Sequence, residues 1–222
     1  MTPTHSPRAV EPGAVSVADA APLDQSEELP TVLIVGDSIS LGYTEHVREL
    51  LAGKVDVYRV PDNAGPSSYG VAHVREWVAI TPGRWNVIHF NFGLHDIKLA
   101  PGLAHDPYPG GHQVTEGQYA SNLREMISVF ASTGARLIYA TTTPVPTGKL
   151  DPPRQVGDEA AYNAIATGIA GEHGIVVNDL YSLAKCQLDI IQQRENVHFT
   201  DDGYRVLGAQ VAAFVEEELR KS

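Results

Sequence analysis

Apolar and polar positions alternate along this chain in two rhythms. Residues 31–36 (TVLIVG) form an unbroken apolar run closed by glycine, as expected of a central parallel strand buried on both faces. Residues 55–60 (VDVYRV) alternate and carry two charges, which suits an edge strand. Residues 87–92, 136–141 and 175–177 supply three further strands. Between them apolar residues recur at helical spacing over about 41–51, 69–79, 118–133, 158–173 and 180–192. A last helical stretch covers 203–220, with Thr200 and Asp201 placed to cap it. Strand–helix alternation over this length predicts an α/β fold, an open parallel sheet covered by helices on both sides. Ligands in that architecture sit beyond the carboxyl ends of the strands.

Residues 1–30 break the pattern. Pro3, Pro7, Pro12, Pro22 and Pro30 punctuate a stretch of small and acidic residues that cannot bury enough apolar surface to offset its ordering entropy. It is read as a flexible tail, with residues 31–222 as one domain. Ala18-Asp19-Ala20 resembles a signal-cleavage site, but no basic and apolar leader precedes it, so the compartment stays open. The 222 residues carry 27 Asp and Glu against 16 Lys and Arg, a net charge of −11. Such a surface repels phosphate backbones and anionic headgroups, which argues against nucleic acid and against basic-patch membrane binding. No apolar run approaches the length of a membrane-spanning helix. Cys186 is the single cysteine and cannot form an internal disulfide, and no Cys/His spacing reads as a zinc site.

The candidate chemistry gathers at strand ends. The first strand runs into Gly36-Asp37-Ser38-Ile39-Ser40, where a serine at a strand-to-helix turn has an exposed hydroxyl beside backbone N–H groups of a helix N-terminus. That is what a nucleophile needs, although Ser38 could equally be an ordinary N-cap. The spacing also misses G-x-S-x-G, because Ser40 stands in the last glycine position. After strand two comes Asn63-Ala64-Gly65-Pro66-Ser67-Ser68, in which Gly65 permits close backbone approach to a ligand. After strand three comes Gly93-Leu94-His95-Asp96, followed by a long loop rich in glycine and proline. Before the last helix lies Glu195-Asn196-Val197-His198, a histidine with a carboxylate three residues earlier, the spacing of a base and its orienting acid. A serine, two glycine-bearing strand ends and a late histidine at one sheet edge are the parts of a charge-relay esterase. His89 reads as a core histidine, and Trp77 and Trp85 as packing around the end of the second helix.

On these residues the sequence resembles the SGNH (GDSL-type) hydrolases from about residue 32 to residue 219. Gly36-Asp37-Ser38 matches the first block of that family, Gly65 the second, Gly93-Leu94-His95-Asp96 the third (usually G-x-N-D) and His198 the fifth (usually D-x-x-H). The resemblance implies a flavodoxin-like three-layer α/β/α sandwich with five parallel strands ordered 2-1-3-4-5. It also implies Ser38 as nucleophile and His198 as base, with an oxyanion hole from the N–H groups of Ser38 and Gly65 and a third donor from block three. Two positions depart from the family. His95 replaces the asparagine whose amide donates to the oxyanion, and an imidazole can do so only in the right tautomer or when protonated. Glu195 replaces the aspartate of the triad, and a Ser–His dyad is its rival; Asp189, Asp201 and Asp202 are weaker acid candidates. Asp37 and Asp96 are read as loop supports that bond nearby backbone N–H groups.

The implied reaction is ester hydrolysis through an acyl-enzyme on Ser38, with no metal or organic cofactor. No lid-like apolar insertion is present, and the loop at 101–113 carries His105, Tyr108 and His112, which suits a polar or sugar-bearing partner. Short acyl esters are therefore expected, including O-acetyl groups on carbohydrate. Lysophospholipid or thioester hydrolysis, acyl transfer by the same serine, and a catalytically inactive binding module on the same fold are the alternatives. The oligomeric state is not legible.

Overall fold

The computed structural model describes residues 29–81, 83–99 and 111–221. The expected tail lies outside them apart from Leu29 and Pro30, and so does most of the loop at 101–113, His105 and Tyr108 included. Five parallel strands, β1 (Thr31–Val35), β2 (Asp56–Arg59), β3 (Val87–Phe90), β4 (Arg136–Ala140) and β5 (Val176–Asn178), form one sheet in the order β2-β1-β3-β4-β5. In register, Val32 pairs with Val57 and Val87, Val35 with Phe90, and Ile138 with Val176. This is the order that the family resemblance implies. The unbroken apolar run became the inner strand β1, buried at every residue after Thr31, and all of β3 is buried as well, His89 included. The alternating run became β2 at the edge, buried on neither face throughout.

Helices α1 (Ser38–Leu50), α2 (Ser67–Val78), α3 (Glu116–Ser132), α4 (Asp158–Glu172), α5 (Leu180–Lys185), α6 (Leu188–Ile191) and α7 (Asp201–Arg220) cover the sheet. α1 packs on α7, while α2, α3 and α4 pack in a row. Apolar stripes make these contacts: Ile39, Tyr43 and Val47 of α1, and Leu207, Val211 and Val215 of α7, are all buried. Trp85 sits at the end of α2 as expected and donates from Nε1 to the Val78 carbonyl at 2.8 Å. Thr200 caps α7 by accepting from the Gly203 N–H at 3.1 Å.

One expected element divides. The pattern at 180–192 reads as a single helix, but α5 ends at Lys185 and Gln187 takes φ −139°, outside the helical region. The break swings the buried Ile191 toward the start of α7, where its carbonyl accepts from the Thr200 N–H at 2.9 Å and the Thr200 hydroxyl at 3.1 Å. That lock sets the origin of the loop 193–200, which carries His198.

β1 lies between β2 and β3, so the chain leaves the sheet in opposite directions from neighbouring strands. The crevice at this switch point opens at the carboxyl ends. All four sequence motifs meet there.

Candidate active site

The nucleophile turn is built by its neighbours. Buried Asp37, not Ser38, caps α1, its Oδ1 accepting from the Ile39 N–H at 2.9 Å. Ser38 is thereby free of the capping role. Its N–H finds no acceptor among the described residues, and its Oγ lies 2.9 Å from Nε2 of His198. Burial raises the Asp37 carboxyl, with the Ile39 N–H and the charges of Arg154, His198 and Arg59 opposing. Arg59, at the end of β2, holds the turn from the side. Its guanidinium donates to the carbonyls of Gly36 (2.9 Å), Asp37 (3.3 Å), Val60 (2.7 Å) and Asp62 (3.0 Å) and to the Ser40 hydroxyl (3.1 Å). Sequence reasoning saw only an edge-strand charge there.

The second loop turns through Gly65 at φ +58°, a conformation that favours glycine. Its N–H, the expected oxyanion donor, already donates to Oδ1 of Asn63 at 2.9 Å. The third loop passes Gly93 at φ +143°, where a Cβ would stand 2.2 Å from Oγ1 of Thr142, so only glycine fits. Asp96 supports two loops at once. The N-cap position of α2 is Pro66, which makes no side-chain cap, and Asp96 Oδ1 supplies it by accepting from the N–H (2.9 Å) and hydroxyl (2.5 Å) of Ser67. Its Oδ2 is buried without a partner, and burial pushes the carboxyl up to about 7 against the Ser67 bonds.

His95 lines the same cavity as Ser38 and His198. Its Nδ1 lies 2.9 Å from Nζ of Lys98. An ammonium can only donate, so Nδ1 accepts and the ring proton sits on Nε2, which has no acceptor among the described residues. Burial, then the charges of Lys98, Arg154 and His198, hold this imidazole at about 3, well below its ordinary value. Arg154 also donates to the Leu94 carbonyl at 2.7 Å and so anchors the loop that carries His95.

His198 meets a different partner from the expected one. Its Nδ1 lies 2.7 Å from Oδ1 of Asn196, which also accepts from the His198 backbone N–H at 3.1 Å. Glu195 makes neither a hydrogen bond nor an ion pair with the ring. It takes φ +51°, unusual for a side chain with a Cβ, and packs on Gly148, where an added Cβ would stand 2.5 Å from its Cγ. The left-handed turn is the physical reason that an acid three residues before the histidine misses it. Asp189 lies on α6, and Asp201 and Asp202 pair with Arg205, so none of the weaker candidates reaches the ring either. His89 is fully buried beside Asn178 and depressed by burial to about 4, which makes it a neutral core residue.

The resulting cavity of about 500 Å³ is lined mainly by polar residue types, with Asn63, His95, Lys98, Arg154 and Glu195 around Ser38 and His198, and Leu150, Pro152 and Val197 as its apolar residues. Lys149 and Asp151 line its rim. His112 is committed elsewhere, its Nε2 2.7 Å from Asp158. Among the described residues no group of three or more His, Cys, Asp or Glu could hold a metal, and no helix is long and apolar enough to cross a membrane.

The family model for GDSL-like lipases and acylhydrolases matches residues 34–206. Solved structures resemble the chain in fold. A lipase/acylhydrolase from Enterococcus faecalis is 22% identical with a TM-score of 0.68, over 86% of this chain and 97% of that one. The acetyl xylan esterase AlAXEase is 16% identical with a TM-score of 0.67, over 83% and 99%. A member of the lipolytic G-D-S-L family from Veillonella parvula is 19% identical with a TM-score of 0.63, over 82% and 96%. No curated protein matches the sequence.

Proposed function

The chain belongs to the GDSL-like lipase/acylhydrolase family, and we propose that it is a serine esterase for short-chain carboxylic esters, O-acetyl groups on carbohydrate among them. The observation that carries this reading is the 2.9 Å contact between Ser38 Oγ and His198 Nε2, made across 160 residues of chain at the switch point of the sheet.

In this mechanism His198 takes the Ser38 proton as Oγ attacks the ester carbonyl, and the leaving alcohol takes that proton back. The acyl-enzyme is then hydrolysed by a water that His198 activates. Charge on the tetrahedral oxygen is met by the unengaged Ser38 N–H at the start of α1 and by His95 Nε2–H. The Gly65 N–H joins them when the oxyanion displaces Asn63 Oδ1, an acceptor already seated on that donor. Glu195 lines the cavity without bonding the base.

The polar lining supports a small acyl group on a hydrophilic alcohol. A long acyl chain needs a continuous apolar wall, and among the described residues Leu150, Pro152 and Val197 are the apolar residues that line the cavity. A similar fold in an acetyl xylan esterase is compatible with this reading.

The test is turnover of p-nitrophenyl acetate, butyrate and octanoate alongside Ser38→Ala. Rates should fall with chain length and vanish in the variant. Octanoate as the best substrate would point to a lipid acyl chain. Turnover that survives Ser38→Ala would end the serine-esterase reading.

A further inference from the structure

We propose that Asn196, backed by Gln193, fixes the tautomer of the His198 base through the polarity of two carboxamides, in the place where Glu195 was expected to act by charge. This rests on the reading of His198 as the base for Ser38.

The direction of each bond follows from the one before it. The Phe199 carbonyl can only accept, so Gln193 turns its Nε2 toward it, at 2.9 Å. That leaves Gln193 Oε1 to accept from Asn196 Nδ2, at 3.2 Å. Asn196 Oδ1 must then face the histidine. The same orientation is imposed from the other side, because the His198 backbone N–H can only donate and meets Oδ1 at 3.1 Å. An oxygen 2.7 Å from Nδ1 requires the ring proton on Nδ1. Nε2 is left with its lone pair toward the Ser38 hydroxyl at 2.9 Å, the state a general base must start from. Gln193 is exposed and so reinforces the arrangement more weakly than the His198 N–H does.

The loop that carries this chain of bonds is braced at both ends. The Gln193 N–H donates to the His198 carbonyl at 2.9 Å, and buried Gln192 donates to the carbonyls of Pro144 (2.9 Å) and Val197 (3.2 Å). An aspartate at 196 would keep the bonds from His198 but turn its second oxygen toward Gln193 Oε1, acceptor against acceptor. The local polarity therefore calls for an amide.

A neutral partner orients the ring without stabilising the imidazolium by charge. Asn196→Asp adds that charge next to Nδ1, and an opposite charge at this distance raises a histidine pKa by about 1–3 units. The other charged or titratable groups around the ring are Asp37 under the nucleophile turn, the neutral His95, Lys98, Lys149, Asp151 and Arg154 across the cavity, and Glu195 on the same loop. None of them changes between parent and Asn196→Asp, so a displaced acid limb reports residue 196.

The experiment combines pH–rate profiles with ¹⁵N NMR of the His198 ring. The parent should show a protonated Nδ1 and an unprotonated Nε2 near pH 8, and the acid limb of kcat/KM should move up by about 1–3 units in Asn196→Asp. Asn196→Leu should lower kcat by about 10²–10⁴-fold with KM little changed, because the ring loses the bond that orients it toward Ser38 as well as the acceptor that fixes its tautomer. Gln193→Leu should cost about two- to tenfold, in keeping with an exposed reinforcing bond. Glu195→Gln should leave the acid limb in place. A parent ring protonated on Nε2, or a Glu195→Gln loss as large as that of Asn196→Leu, would overturn the proposal. Ser38→Ala turnover separates this from a failure of the esterase reading, since the NMR result does not depend on activity.

Discussion

Replacing His95 by alanine tests the oxyanion site where this sequence departs most visibly from its family. The imidazole offers one N–H to the cavity, on Nε2, because Lys98 occupies Nδ1 from 2.9 Å away. A donor aimed at developing charge contributes mainly in the transition state, so its loss falls on kcat rather than KM. Removing one such donor typically costs about 10²–10³-fold, or ~2.7–4 kcal/mol. His95→Ala should show a loss of that order in steady-state turnover of p-nitrophenyl acetate near pH 8. The acid limb should not change, because His95 titrates at about 3 and is neutral throughout the working range. Lys98→Met supplies the graded control. Without the ammonium the neutral ring divides between two tautomers, which costs about twofold by population, and the lost positive charge adds in the same direction; the sum should stay near or below tenfold. His95→Asn keeps an amide donor at the same position and should recover part of the alanine loss. If His95→Ala stays within about threefold of the parent, or Lys98→Met costs more than His95→Ala, the imidazole is not the donor.

Asp96 predicts a pH dependence of stability. Its folded carboxyl is raised by burial to about 7, above the unfolded value, so the folded state binds the proton more tightly; the associated stability is full below about pH 4 and is lost as pH rises through 7. Thermal melts of Asp96→Asn against the parent between pH 5 and 8 should show a flatter profile in the variant, and equal slopes would refute the assignment. Arg59→Met should leave the buried Val60 carbonyl without its donor and take one of several donors from the Gly36 and Asp37 carbonyls, which keep the Ala64 N–H and the Leu41 N–H with the Ser40 hydroxyl respectively. One unpaired buried acceptor costs about 1–3 kcal/mol, and in a domain of this size each kcal/mol is about 2–4 °C in Tm. A melt within about a degree of the parent's would show that the guanidinium does not brace the turn.

The elements were legible where one period dominated. An apolar run marked β1, alternation marked β2 as an edge, and Thr200 announced α7, because burial on two faces, on one face, or at a capped end leaves different spacings. Ser38 and His198 could be paired in advance because parallel strands deliver their carboxyl ends to one edge. What escaped were side chains whose role depends on direction. Arg59 looked like a charge on an edge strand, yet its length folds it back over the nucleophile turn. Lys98 and Arg154 lay in loops whose path no pattern sets. Glu195 had the right spacing to His198, but a left-handed residue turns its side chain away, and nothing in the identity of a glutamate predicts φ +51°. A signal for Asn196 did exist. Asparagine favours accepting from the N–H two residues on, which in Asn-Val-His sets its oxygen beside the histidine.

That same local device recurs around the site. Asp37 accepts from the Ile39 N–H, Asn63 from the Gly65 N–H and Asn196 from the His198 N–H, each two residues ahead. Each contact shapes its loop without reference to the others, so three motif loops acquire their form locally and the sheet then assembles them. The consequences differ with what the second residue does. At Ile39 the captured N–H belongs to a helix start and frees Ser38 from capping it. At Gly65 it belongs to the oxyanion donor of the proposed mechanism, and in that mechanism the Asn63 oxygen yields its place to the anion. At His198 the captured N–H fixes the very oxygen that holds the ring. The two departures from the family are thus met in one way: Lys98 fixes the proton of His95 on Nε2, and Asn196 fixes that of His198 on Nδ1. In the proposed mechanism a donor and a base are both set by neighbours that admit only one direction of hydrogen bond, and neither needs a carboxylate beside it.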